Sequence, residues 1–191
     1  MAEVSGRALL GLVKFIKEQG GTAVLRDILN EAAPEARKVF DKSILVLSWY
    51  PYSVYVYLLR AIDRRMGSGD LSWCWKLGEN AASLDIRSFL RTYDQKGGQK
   101  DLIQSCTMVW SSYYKNAGRM EATSAEPENT VLRITDFPEM DPAHCRLMEG
   151  WMNEVIKLIG TKVINKVTEV NCMSQGGPYH EFKCSWVPLN K

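Results

Sequence analysis

Five cysteines and two histidines are the residues of this chain best suited to chemistry. Cys172 and Cys184 flank a closing hairpin, where they can lie near each other across two strands. Cys145, His144 and His180 are further possible donors, and a thiolate and imidazole set of this kind suits tetrahedral zinc. Against zinc, the chain has no Cys-x-x-Cys pair, and a buried free cysteine is a common small core residue. Cys172 and Cys184 are therefore the candidate metal pair, while the plain expectation is that they are core thiols. His144 and Cys145 are neighbours, with Glu149 one turn on, but adjacent helical residues point apart and cannot easily form a nucleophile–base bond. No Gly-x-Ser-x-Gly, His-Glu-x-x-His, phosphate loop or Gly-x-Gly-x-x-Gly occurs, so the chain is not expected to be an enzyme.

A second set of residues suits binding. Trp110, Tyr113, Tyr114, Met148 and Trp151 supply large flat rings and a flexible thioether, which can line a pocket for an apolar molecule. By base rate most of them simply fill a core. His180 shares the inward face of the last strand with Phe182, Cys184 and Trp186, while Tyr179, Glu181, Lys183 and Ser185 face the other way. His144 lies in the first turn of a helix, where the positive end disfavours imidazolium. That favours a neutral ring able to accept a bond, but the plainer expectation is a solvent-facing residue. His144 and His180 complete the ligand-binding candidates.

The elements that must position these residues read as helices first, then strands. Leu9, Leu12, Val13 and Ile16 recur at helical spacing up to Gly20-Gly21, and a shorter stripe from Val24 to Leu29 ends at Pro34. Ile44 to Leu47 reads as a buried apolar run. Pro51 suits a first helical position before Val54, Tyr57, Leu58, Ala61 and Ile62, and Asp70 suits the cap of the next helix. That helix carries Cys74, Leu77, Gly78, Ala81 and Leu84, and its small residues admit a second helix closely. After a break at Gly97-Gly98, a helix with Ile103, Cys106, Trp110 and Tyr113 is expected to run to Ala117.

Strands are expected over 119–124 and 131–136, around a turn at Glu126-Pro-Glu-Asn129. Asp141-Pro142 opens a helix with two apolar stripes, as expected of one buried between layers or paired with another subunit. A bulged strand from Val163 to Cys172, the turn at Gly176-Gly177-Pro178 and the closing strand complete the chain. The fold class is α+β, with N-terminal helices followed by β-β-α-β-β and a four-stranded antiparallel sheet packed against helices.

With 191 residues the chain can bury about 70% of its unfolded surface, so one domain needs no staples. Residues 1–48 read as a helical start and 49–191 as the α+β core of the same domain. A net charge of +2 without a basic block gives no nucleic-acid footprint. No apolar run is long enough to span a membrane, and no secretory signal is visible. An odd, scattered cysteine set reads as reduced thiols of a cytoplasmic protein.

Asp141-Pro-Ala-His-Cys145, Gly150-Trp151, the strand ending at Cys172, Gly176-Gly177-Pro178 and Glu181-Phe182-Lys183-Cys184-Ser-Trp186 together resemble the four-vinyl reductase (V4R) domain. That domain shares a fold with haem–nitric-oxide sensors and Bet-type vesicle-tethering (TRAPP) proteins. Trp49-Tyr50-Pro51 adds a likeness to uncharacterised myxobacterial paralogues of the DUF2378 type. The resemblance covers about Trp49 to Trp186. It implies a small apolar ligand, regulatory output and dimerisation through the N-terminal helices. It also makes the cysteines suspected metal ligands. The Tyr-x-Ser-x-Arg haem-propionate signature is absent, so haem is not expected and no cofactor is expected at all. The expectation is a homodimeric sensor that passes its state to a separate signalling partner. The alternative is a ligand-free protein–protein interaction scaffold.

Overall fold

The computed structural model describes residues 1–93, 106–158 and 161–188. The expected break at Gly97-Gly98, Ile103, Ile159 and the side chain of Cys106 lie outside the described residues. Strand β1 (Glu3–Ser5) leads into α1 (Gly6–Asn30), which Ser5 caps by accepting the Ala8 N–H. The break expected at Gly20-Gly21 is present as a kink, with Gly21 at φ +81°. Helix α2 (Pro34–Phe40) follows.

Of Ile44 to Leu47 only Ile44 packs partly against the core. Leu45 is 61% and Leu47 93% exposed. A backbone bond from Ser48 N–H to the Leu45 carbonyl holds the segment as a turn, and it has no strand partner among the described residues.

Strand β2 (Trp49–Pro51) pairs antiparallel with β1, so Pro51 ends a strand, and α3 (Tyr52–Met66) starts one residue later than expected. The buried Asp63 near the end of α3 accepts the Leu71 and Trp73 N–H groups at 2.9 and 3.1 Å. It caps α4 (Ser72–Tyr93), while Asp70 takes the Ser72 N–H. Helix α5 (Cys106–Tyr113) stops short of Ala117, because Tyr114 and Lys115 form β3 against β1. The resulting small sheet, in the order β2-β1-β3, was not foreseen from the sequence.

The main sheet is four-stranded and antiparallel, in the order β4-β5-β7-β6. It comprises β4 (Arg119–Glu126), β5 (Asn129–Thr135), β6 (Thr161–Asn171) and β7 (His180–Pro188). The irregular register of β6 against β7 matches the expected bulge. Residues 180, 182, 184 and 186 of β7 are buried as their alternation predicts.

Helix α6 (Pro142–Leu158) joins β5 to β6 and lies between α4 and the sheet, which is why both its stripes are apolar. Asp141 starts it, accepting the Ala143 N–H on Oδ1 and the His144 and Cys145 N–H groups on its carbonyl. The α4–α6 crossing depends on glycine from both sides. A Cβ on Gly78 would collide with the Leu147 carbonyl, and one on Gly150 with the Trp75 carbonyl. No described helix is long and apolar enough to cross a membrane.

Candidate functional site

Two sites meet on α6. One is a cavity of about 130 Å³ where α1, α4, α5 and α6 converge. Its apolar wall includes Leu12, Tyr55, Leu77, Trp110, Tyr114, Met120, Met148 and Trp151, and its polar edge is Arg7, Asn80, Asp85 and Tyr113. An engineered cavity of roughly 150 Å³ takes benzene, so the space suits a molecule of about that size. The buried Asp85 organises the polar edge. It accepts from the Tyr113 hydroxyl, from Trp151 Nε1 at 3.0 Å and from Arg7 at 3.3 Å. Burial raises its pKa, against the lowering effect of these donors.

Behind the cavity wall lies His144, which is fully buried and not on the solvent side. It sits among Trp110 (parallel rings, centroids 5.7 Å apart), Tyr114 at 4.8 Å, Tyr55 at 5.4 Å and Tyr52 at 5.7 Å. Burial, with His180 adding to it, lowers its pKa to about 3, so the ring is neutral. The expected solvent-facing position is not the one found, because packing of aromatic rings from α3, α5 and β3 encloses the ring.

The second site is a four-donor cluster. Cys145 from the first turn of α6, Glu169 from β6, Cys172 just after β6 and His180 from β7 place one ligand atom each within 4.8 Å of one another. His180 Nδ1 lies 2.9 Å from Glu169 Oε1 and 3.5 Å from Cys145 Sγ, and its Nε2 lies 3.2 Å from the Phe137 carbonyl oxygen. A carbonyl only accepts, so Nε2 carries a proton and Nδ1 is the atom turned to the cluster. A backbone carbonyl on the far nitrogen is how metal-ligating histidines are usually held. Donor separations around tetrahedral zinc are on the order of 3.3–3.8 Å, so a modest contraction would seat the ion.

Of the residues singled out from sequence, Trp110, Tyr113, Tyr114, Met148 and Trp151 all line the cavity. His144 stands behind its wall and His180 belongs to the other site. Cys172 is in the cluster, but Cys184 is not its partner; it lies further along β7, opposite Thr130 of β5. Strand register decides this: Asn171 at the end of β6 pairs with Glu181, so the next residue on each side brings His180 across from Cys172. Sequence reasoning missed Tyr55, Asp85 and Glu169. Asp85 left one sign, a carboxylate four residues after Ala81 on an otherwise apolar helical stripe.

The four-stranded sheet closed by β6 and β7, with α6 against it and long helices before it, can be compared with solved proteins as a whole. The fold is that of the H-NOX proteins. An H-NOX protein from S. oneidensis in the Fe(II) ligation state matches with a TM-score of 0.73 over 98% of both chains, at 12% identity. The Fe(II) unliganded H-NOX protein from K. algicida matches with 0.72 over 98% of both, at 9% identity. A third, from work on haem distortion in the H-NOX family, gives 0.69 over 98% of this chain and 97% of that one, at 11%. No protein-family model matches the chain, and no curated protein does.

These H-NOX neighbours overturn the expectation that no cofactor accompanies this architecture, since they are described in Fe(II) states and one in terms of haem. The cavity of this chain, as packed, does not fit that group. A benzene-sized space bounded by Trp110 and Tyr114 has no room for a macrocycle unless those rings move. Of the two histidines, His144 is bonded to the Tyr52 hydroxyl and His180 faces the cysteine cluster.

Proposed function

We propose that this chain is a non-catalytic sensor or regulatory domain that takes a small, mostly apolar molecule into the α1–α4–α5–α6 cavity. The observation that carries the reading is the cavity itself, enclosed by rings from four elements and edged by one organised carboxylate. Pockets of this make-up, apolar with a few placed polar groups, are where small ligands bind. The thiols support a non-catalytic role: burial pushes Cys74 and Cys184 up to about 12 and Cys145 higher still, which keeps the uncomplexed thiols protonated.

Met148 and Trp151 of α6 line the cavity, while Cys145 of the same helix belongs to the four-donor cluster. A ligand shifts an equilibrium only through differential affinity for two states. Here the two states are alternative seatings of α6 between α4 and the sheet. Zinc at Cys145, Glu169, Cys172 and His180 would pin the start of α6 to β6 and β7, a structural role that needs no open coordination position. The exposed Leu45-Val46-Leu47 turn is an apolar surface suited to a separate protein partner or a second copy.

Native mass spectrometry of freshly purified protein tests the reading, together with its absorption spectrum and its thermal unfolding in saturating benzene. The expected result is a retained small molecule or a benzene-dependent rise in Tm, with one bound zinc. An empty protein indifferent to benzene would favour the scaffold alternative. A Soret band would replace the small ligand with haem and require Trp110 and Tyr114 to give way.

A further inference from the structure

Tyr55 of α3 and Tyr114 of β3 meet hydroxyl to hydroxyl, 3.3 Å apart, in the wall of the cavity. Each phenol carries one proton and can also accept. A single bond between two hydroxyls uses one proton, whichever ring donates. The other proton has no acceptor among the described residues. Both rings are buried, and burial pushes both phenols well above their ordinary range, so neither proton is lost at working pH.

The acceptors at the polar edge of the cavity, Asp85 and Asn80, bond to neither of these hydroxyls among the described residues. Leu12, Leu77, Met120 and Met148 face the same space without an oxygen or nitrogen in their side chains. Behind Tyr114, the Tyr52 oxygen takes the Asp141 N–H, and its own proton is directed to His144 Nδ1 at 3.0 Å. His144 Nε2 then carries a hydrogen, and it too lacks a partner. The alternative tautomer would leave two orphans there instead of one. The phenol pair, and His144 Nε2 behind it, therefore hold protons that no described acceptor takes, and buried polar groups are rarely left unmatched.

We propose that the ligand of this cavity is a small apolar molecule carrying one hydrogen-bond acceptor, such as a carbonyl oxygen, which the Tyr55–Tyr114 hydroxyl pair receives. This rests on the reading of the cavity as a ligand site. The pair acts as one donor: removing either hydroxyl alone still leaves a proton free for the ligand, and only removing both abolishes the contact.

The experiment uses cyclohexanone and methylenecyclohexane, which differ only in C=O against C=CH₂. Their Kd values are measured by calorimetry on the full chain and on Tyr55→Phe, Tyr114→Phe and the double variant. The expected result is a Kd ratio nearly unchanged in each single variant and shifted about tenfold towards the hydrocarbon in the double variant. A ratio unmoved by the double variant overturns the proposal, and so does one moved fully by a single substitution. Binding of neither molecule sinks the ligand-site reading along with it, whereas binding of both with an unmoved ratio sinks the acceptor alone. Should the double variant fail to fold, the infrared carbonyl stretch of bound cyclohexanone on the unaltered chain decides. A frequency below that in alkane supports the hydroxyl contact, and an alkane-like frequency overturns it.

Discussion

Cys145 Sγ lies 3.5 Å from His180 Nδ1, joining the first turn of α6 to the start of β7 across 35 positions of sequence. Glu169 and Cys172 reach the same point from β6 and from the turn that follows it. Three separately folded pieces of chain thus converge on a volume the size of one ion.

The cluster should therefore bind one equivalent of zinc, read by mass spectrometry and chelator competition. Cys145→Ser and Cys172→Ser should each weaken binding by more than the ~10–100-fold typical of losing an outer partner. Cys184→Ser, outside the cluster, should leave zinc affinity unchanged. Equal losses for all three would refute the assignment.

The α4–α6 crossing sets a stability test. Gly150→Ala should push a methyl against the Trp75 carbonyl and cost roughly 1–3 kcal/mol, as overpacking does. Gly11→Ala, also within a helix but with nothing within 4 Å, should be neutral or stabilising by about 0.5–1 kcal/mol. Urea denaturation of the two variants checks both signs.

His144 makes folding sensitive to acid. Its folded pKa of about 3 lies below the ordinary value of 6.5, so the unfolded chain takes up the proton first. The stability it contributes is complete above about pH 6.5 and is lost as pH falls towards 3, on the order of 5 kcal/mol over that interval. In chelator-treated protein the unfolding free energy should fall across this window. His144→Phe should flatten that part of the profile; an unchanged slope would contradict the assignment.

Asp85→Ala should remove the shared acceptor of Tyr113, Trp151 and Arg7. With buried donors left behind, a loss of roughly 2–4 kcal/mol is expected. Trp151→Phe in that background should cost less than Trp151→Phe alone, since the indole N–H no longer has Asp85 to lose. A double-mutant cycle measures this coupling.

The local sequence determined the elements, since helical spacing, caps and alternation are short-range properties of the backbone. Asp141-Pro142 starts α6, and Gly20-Gly21 kinks α1. Alternation along β7 put His180, Phe182, Cys184 and Trp186 on one buried face, and the order of elements gave an α+β fold with a four-stranded antiparallel sheet. The aromatic residues of α5, β3 and α6 were legible as pocket candidates because large rings on apolar faces must pack against something.

Only the tertiary structure decided which side chains meet. Strand register brought His180, and not Cys184, to Cys172, and no spacing in the sequence encodes that choice. The pairing of β3 with β1 ended α5 early and turned Tyr114 towards Tyr55, 59 positions away. His144 looked exposed from its place in a first turn, yet rings contributed by α3, α5 and β3 enclose it. Contacts between distant segments depend on how layers stack, and that geometry exists only once the chain has closed on itself.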